Sequence, residues 1–256
     1  MTKDAVLAIL RKENDYISGE HISRLLGVSR AAVNTAVKAL RAEGYEISSS
    51  TNKGYHLDAV PNSISAQELA AYLDEARMQT VECLASVDST NNRLRELALA
   101  GAPNGQVVLA NEQTRGKGRR GRAFASPQDN GIYLSILFHP DTLPTDIVEI
   151  TAWTAVATNN AIEEVCGVRA GIKWVNDLVI DRKKICGILT EMSVESESGY
   201  IQYLIIGIGI NVNGQAEDFP AEIRSTATSL AMETGKTHSR AALAAALIRE
   251  LDSMCR

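Results

Sequence analysis

The sequence predicts an α+β protein in two parts: a small head of short helices closed by a hairpin, then a larger body built on a mixed sheet. Three observations predict it. Residues 1–44 carry three short helical periodicities separated by capping residues and glycines. Residues 45–57 read as two short strands around a polar turn, and from Val81 onward apolar runs of strand length interleave with longer helical patterns. At 256 residues and 45% apolar, the chain is long enough for one small and one medium core. The boundaries drawn from these signals are 1–60 and 61–256.

In the head, Val6, Ile9 and Leu10 give the first helix an apolar face. Ser18 is placed to cap a second helix whose apolar positions are Ile22, Leu25 and Leu26. Gly27-Val28 breaks it, and Ser29 caps a third helix to about Glu43, with Ala32, Val33, Ala36, Val37 and Leu40 inward. A glycine between one short helix and the next cap is the signature of a helix-turn-helix. Gly44 stops the third helix; Tyr45–Ser50 and Gly54–Leu57, joined by Thr51-Asn52-Lys53, form a hairpin, completing a winged helix-turn-helix. Asp58–Ser63, with Pro61, reads as a linker, and Ser65-Ala-Gln-Glu68 resembles a capping box opening a helix to about Glu75. In the body, strands are expected at 81–87, 106–111, 131–138, 171–174, 184–194 and 200–212, and helices at 90–100, 145–165 and 239–254. Only Glu195–Gly199 separates two of these strands, so 184–194 and 200–212 are expected to pair antiparallel.

The net charge of −5 and the ordinary composition argue against disorder, collagen-like repeats and a uniformly basic nucleic-acid binder. The charge is uneven: residues 1–60 carry eight Lys/Arg against seven Asp/Glu, and the remainder is acidic. The start, MTKDAVLAILRKEND, is charged and amphipathic rather than a basic head followed by an apolar run. The longest uncharged stretch, Ser198–Ala216, is interrupted by glutamines, asparagines and glycines and reads as core strand and turn. The cysteines (83, 166, 186, 255) form no CxxC and the four histidines are scattered, which disfavours a disulfide framework or a zinc site. A cytoplasmic protein without membrane attachment is the expectation.

Local charge is more informative. On the third helix, the residues left outside after burying the apolar face are Ser29, Arg30, Ala31, Asn34, Thr35, Lys38 and Arg41, three cations with no acid. Such a helix fits the major groove of DNA, with Arg and Asn at base edges and Lys on phosphates; Lys53 in the wing adds a backbone contact. The competing reading is a small docking module with solvated charges. In the body, Arg115-Gly-Lys-Gly-Arg-Arg-Gly-Arg122 packs five cations and three glycines into eight residues. It matches neither a phosphate-loop nor a dinucleotide fingerprint. It suits a loop whose self-repulsion is relieved, and whose N–H groups close, around an anion; a solvated basic loop or an RNA patch is the alternative. Asp88-Ser89-Thr90-Asn91 stands between a strand and a helix, where hydroxyls and N-terminal amides can hold a polar ring. Lys173-Trp-Val-Asn-Asp177 sets an amide and a carboxylate at a strand end. Lys183-Lys184-Ile-Cys-Gly-Ile-Leu189 opens a strand with two cations, with Gly187 permitting close approach to the backbone.

Together DSTN, RGKGRRGR, KWVNDL, KKICGIL and GIGIN, in this order, resemble the biotin protein ligases, and the N-terminal helix-turn-helix resembles that of the bifunctional subgroup that also represses biotin genes. The resemblance covers essentially the whole chain. It implies a catalytic domain of the biotin/lipoate ligase type that makes biotinyl-5′-AMP from biotin and MgATP and then biotinylates a lysine of a carboxylase carrier domain. It also implies operator DNA as a partner and a ligand-promoted homodimer. By position it implies a biotin site of Ser89, Thr90, Asn91, Gln113, Lys117, Gly118, Arg119, Lys184 and Gly187, with apolar walls around Gly187–Leu189. It implies a nucleotide site of Arg119, Arg120, Arg122, Phe124, Lys173, Asn176 and Asn211, the last after a glycine-rich turn at 207–209. Lys184, Arg119 and Asp177 would be catalytic, and Mg2+ would ride on the ATP phosphates with Asp177 as a further ligand. Lys183 is expected to be solvated and Lys184 buried, Cys186 a small core residue, and Trp174 a packing residue.

Three positions depart from the pattern: Phe124, after Ala123, stands where a tryptophan usually stacks on adenine; Val175 replaces a proline; and Ser239–Arg256 reads as an amphipathic helix (Leu243, Leu247, Leu251) with no small C-terminal β-domain after it. A biotin-sensing regulator without transfer activity, and a lipoate or octanoate ligase, are the alternatives.

Overall fold

A computed structural model describes residues 2–140, 147–195, 197 and 199–254, and the chain divides into two compact units, Met1–Asn62 and Ser63–Arg256. Cys255 and positions 145 and 146 of the expected helix lie outside the described residues.

In the first unit, α1 (Thr2–Lys12), α2 (Gly19–Leu26) and α3 (Arg30–Ala42) precede an antiparallel hairpin of β1 (Glu46–Ser50) and β2 (Gly54–Ala59). The Ser18 and Ser29 hydroxyls accept from the His21 and Ala32 amides, closing the starts of α2 and α3. Gly27, at φ 64°, takes the left-handed turn that separates them. Val6, Leu7, Leu10, Ile22, Val33, Ala36, Val37, Leu40, Tyr45 and Ile47 form the core. Leu25 is 59% exposed rather than inward, because α2 is eight residues long and buries only Ile22; Ala32 is half-buried. The β2 strand runs two residues into the segment expected to be linker.

The second unit opens with α4 (Ala66–Leu69) and α5 (Glu75–Met78), where one helix was expected. Ser65 caps the first as anticipated, but the Asp74 carboxylate accepts from the Arg77 amide and starts a new helix, so the run breaks at 70–74. Then follow β3 (Val81–Leu84), α6 (Thr90–Leu99), β4 (Val107–Ala110), β5 (Gly131–Phe138), α7 (Ile147–Cys166), β6 (Gly171–Lys173), β7 (Asp177–Ile180), β8 (Lys183–Val194), β9 (Ile201–Asn211), α8 (Leu230–Thr234) and α9 (Arg240–Ser253). The seven strands are ordered β3-β4-β5-β9-β8-β7-β6; β3 and β4 run parallel across α6, and the other neighbours are antiparallel. The mixed α+β architecture is the one the sequence predicts.

Helices α7 and α9 cover one face of this sheet, packing on Leu109, Ile132, Ile136, Ile206, Ile208 and Ile210. The expected amphipathic C-terminal helix is instead buried almost all round, from Arg240 to Leu251, because α7 and the sheet enclose it. The opposite face is only partly covered: α6 places Leu94 on Val108, Leu137, Tyr203 and Ile205. Beyond that patch the same face carries Ser135 on β5, Gly207 and Gly209 on β9, and Gly187 and Leu189 on β8, in register with one another. Residues two apart on a strand share a face, so Gly207 and Gly209 open a single trough there. They are not a turn, as the sequence suggested, but the middle of β9.

Candidate active site

The trough is roofed by the segment after β4 and closed at one end by the start of α6. Its lining is Ser89, Thr90, Asn91, Gln113, Lys117, Gly118, Arg119, Phe124, Leu134, Asn176, Lys184, Gly187, Ile188, Leu189, Gly207, Ile208 and Gly209. Every residue assigned by resemblance to the biotin site therefore faces one cavity. Phe124 and Asn176 from the nucleotide set join them.

The inner end is polar and heavily hydrogen-bonded. The Thr90 amide and hydroxyl both donate to Gln113 Oε1, at 2.9 and 3.0 Å, and Gln113 Nε2 donates to Ser126 Oγ at 2.9 Å. Ser135 Oγ lies 2.6 Å from Asn91 Oδ1 and 2.8 Å from Thr90 Oγ1, and Asn91 Nδ2 donates to Glu191 Oε2 at 2.7 Å. Glu191 Oε1 accepts from Arg95 at 2.9 Å and sits 3.9 Å from Lys117 Nζ. Ser89 is the N-cap residue of α6, yet its hydroxyl makes no capping bond. The two β9 glycines are required for space: a Cβ at Gly207 would fall 2.2 Å from Asn91 Oδ1, and one at Gly209 would fall 2.5 Å from the Phe124 ring.

The outer end is cationic. Lys184 Nζ pairs with Asp177 Oδ1 at 2.7 Å and lies 6.0 Å from the centroid of the Phe124 ring. Arg119 donates to Asn176 Oδ1 at 2.9 Å, while Asn176 Nδ2 donates to Asp177 and to the Ile188 carbonyl. The basic loop is thereby tied to the β6–β7 turn. Cys186, behind Lys184 on the strand, is fully buried, and burial pushes its thiol up to about 12, so it is inert packing.

Other expected residues stand elsewhere. Arg120, at φ 57°, lines a neighbouring cavity with Arg119, Asn176, Thr151 and Thr190. Arg122 and Lys173 are exposed and line neither cavity. Asn211 spends its amide on the Lys184 and Thr228 carbonyls, so it positions the Lys184 backbone. Lys183 is exposed and Lys184 is half-buried rather than buried, because its ammonium reaches the mouth of the trough. Trp174 is 70% exposed, not packed: it sits in the turn after the edge strand β6.

Ser126, Ser135 and Glu191 were missed. A signal existed for two of them: Ser135 is the one polar residue in the run Ile132–Phe138, and Glu191 the one acid in 184–194.

In the first unit, Arg30, Ala31, Asn34, Thr35 and Lys38 line an open groove with Ser49–Asn52 of the hairpin. Arg41 also borders it, but its guanidinium donates to the Ile47 carbonyl and the Ser49 hydroxyl, pinning α3 to β1. Asn34 donates to the Tyr55 hydroxyl at 3.2 Å, Thr35 back-bonds to Ala31 O, and Lys53 Nζ lies 5.8 Å from the Tyr16 ring centroid. Ser29 serves as the helix cap.

Comparison with known proteins agrees with this geometry. Residues 2–56 match the HTH domain and residues 83–211 the Biotin/lipoate A/B protein ligase family. The bifunctional ligase/repressor BirA of Bacillus subtilis is 40% identical over 94% of this chain and 74% of its own length; that of Escherichia coli is 29% identical over 96% and 74%. The structure of the biotin protein ligase from Aquifex aeolicus in complex with biotin and ATP superimposes with a TM-score of 0.59 at 31% identity, covering 68% of each chain. With its trough, basic loop and N-terminal helix-turn-helix, the chain belongs to the biotin/lipoate A/B protein ligase family.

Proposed function

We propose that this chain is an ATP-dependent biotin–[acetyl-CoA-carboxylase] ligase that also acts as a biotin-responsive DNA-binding repressor. The observation that carries the ligase reading is one trough with a hydrogen-bonding inner end at Thr90 and Gln113 and a cationic mouth at Lys184 and Arg119. A ureido ring has donors and an acceptor to satisfy the first, and a carboxylate meets the second. A lipoyl or octanoyl group brings no N–H or urea oxygen to that polar end, so it gains nothing from those groups.

The biotin carboxylate attacks the α-phosphate of ATP, and pyrophosphate leaves. A carrier lysine then attacks the resulting mixed anhydride, and AMP leaves. Lys184 lies where it faces negative charge in both steps, Arg119 and Arg120 close over phosphates, and Asn176 orients them. Phe124 supplies a ring against the nucleotide base. Arg122, Lys173 and Asn211 join the nucleotide site only through the backbone or on rearrangement of the loop. Mg2+ would arrive on the ATP phosphates, with Asp177 as the flanking carboxylate.

For DNA, Arg30, Asn34, Thr35 and Lys38 present the reading surface, and Lys53 a wing contact. A ligand-promoted homodimer has a candidate edge: β7 pairs only with Lys183–Gly187 of β8, leaving no strand beside Leu189–Val194 on that side among the described residues. Met192 and Val194 are exposed on that stretch. No described helix is long and apolar enough to cross a membrane.

The test is an avidin blot of a carboxylase carrier domain after incubation with the chain, biotin and MgATP. Labelling that requires all three supports the ligase; biotin-dependent DNA binding with no labelling would favour a regulator that only senses biotin.

A further inference from the structure

In the first unit one side-chain hydrogen bond runs from the groove face of α3 to β2: Asn34 Nδ2 donates to the Tyr55 hydroxyl at 3.2 Å. The two ends of that bond differ in freedom. Asn34 is exposed, and it is the one amide side chain on α3, in a row with Arg30 and Lys38 at intervals of four residues. Tyr55 is fixed. Its backbone stands opposite Ser49 of β1 and exchanges two 2.9 Å hydrogen bonds with Ile17. Its ring lies against the start of α2, where a Cβ on Gly19 would fall 3.2 Å from Tyr55 Cε2. Thr35 and Arg41, which border the same groove, donate within the unit, to the Ala31 carbonyl and to Ile47 and Ser49. Asn34 is therefore the α3 side chain that can offer the groove a donor and an acceptor side by side.

The Asn34 amide nitrogen carries two hydrogens, and giving one to Tyr55 leaves Oδ1 and the other hydrogen. In the major groove adenine shows the N7 acceptor beside the N6 donor, and an asparagine meets both with one edge of its amide. A reversed amide would accept from the phenol at Oδ1 and turn only N–H groups outward, which suits the N7 and O6 acceptors of guanine. We infer that Tyr55 is a positioning residue for base reading: it takes the Asn34 hydrogen on the Cβ side, holds the edge of Oδ1 and the other hydrogen toward the groove, and so sets adenine as the base that Asn34 reads. The inference rests on the DNA reading of this groove. A free surface amide turns among rotamers and must be ordered when it binds; one held by a fixed phenol meets the base already oriented. Tyr55 acts through Asn34.

The probe is a pool of duplexes with a randomised central stretch, bound to the full chain with biotin and MgATP at one fixed low salt concentration. The retained duplex is then remade with each base in turn at each position. Wild type should prefer adenine by about fivefold or more at one position, the low end for a bidentate pair, and Asn34→Ala should abolish that preference. Tyr55→Phe keeps the ring against Gly19 and should cut the preference by about threefold, the scale of one hydrogen bond. The readout is the ratio of affinities for adenine and the other bases, from which a general loss of binding cancels. In the Asn34→Ala background Tyr55→Phe should leave the ratio where it is, a coupling that an independent packing defect does not give. Should Tyr55→Phe fail to melt cooperatively, Tyr55→Met also lacks the hydroxyl and carries the same test. An adenine preference that is absent or survives Asn34→Ala, an Asn34-dependent preference for guanine, or a Tyr55→Phe ratio equal to that of wild type overturns the inference and leaves the DNA reading standing. A wild-type chain that retains no duplex from the pool overturns both.

Discussion

Replacing Lys184 by alanine is the most informative single substitution. In the resting protein the ammonium pairs with Asp177 at 2.7 Å, but the two side chains are 35% and 22% exposed, so water screens the pair. Such a pair contributes about 0–1 kcal/mol to folding, and Asp177 retains the Asn176 amide at 3.1 Å when Lys184 is gone. Thermal melting should therefore move by no more than a few degrees. The catalytic effect is larger. A unit charge about 4 Å from developing negative charge, at an effective dielectric constant near 20, contributes about 4 kcal/mol. Asp177 offsets part of this, which leaves an expected loss of about 10²–10³-fold in the adenylation rate, the scale of removing one fixed donor from a charged transition state. The assay is single-turnover release of pyrophosphate from MgATP and biotin, with the far-UV circular dichroism spectrum as a control. Binding of a duplex in low salt without biotin should be unchanged. A rate within about threefold of wild type in a folded variant would refute the assignment of Lys184 to the reacting charge. Loss of cooperative melting would instead make it a structural residue.

Further outcomes follow from the same geometry. Gly209→Ala places a Cβ in the Phe124 ring and should weaken ATP binding while leaving the melting temperature of the fold nearly intact, as read by nucleotide titration. Arg30→Ala and Lys38→Ala should each lower DNA affinity and reduce the salt slope by about one, whereas Arg41→Ala should lower the melting temperature of the first unit, because its guanidinium holds β1. The fully buried Arg240 joins Asp129, Asn111 and the Gly131 carbonyl, so Arg240→Met should cost the second unit about 2–4 kcal/mol, read as a fall in its urea midpoint. Burial raises the Cys83 and Cys166 thiols to about 11 and Cys186 to about 12, so in the folded chain at pH 8 a thiol-alkylating reagent should leave all three unmodified on the timescale that labels them in urea, checked by peptide mass.

What the sequence made legible was local. Ser18, Ser29 and Ser65 each cap the helix that follows them, through a bond to an amide three residues on. The pairing of β8 with β9 follows from the short gap between them. What it hid depends on partners far away in the chain. Gly207 and Gly209 look like a turn because glycine's local meaning is a turn, yet their use is to admit an amide from Asn91 and a ring from Phe124. The β7–β8 hairpin turns through Asp181 and Arg182, both at positive φ, with no glycine to mark it. The five residues of α8 are too few to show a period. Nothing local marks Arg240, which folding buries completely on the Asp129 turn. In the trough, Thr90, Lys184 and Arg119 were readable as types that bind polar rings and anions, and Gln113 only through the family resemblance. Ser135 and Glu191 carry a faint local mark, as a lone serine and a lone acid in largely apolar runs, but their hydrogen bonds to Thr90 and Asn91 follow from β5 and β8 presenting them on the same face.

The function proposed for the trough is the activation of biotin on ATP. Exchange of labelled pyrophosphate into ATP tests it most directly, since exchange needs only the first half-reaction and no carrier protein. The expected result is exchange that depends on biotin and is not supported by lipoate or octanoate. Exchange driven by lipoate or octanoate, with none from biotin, would contradict it.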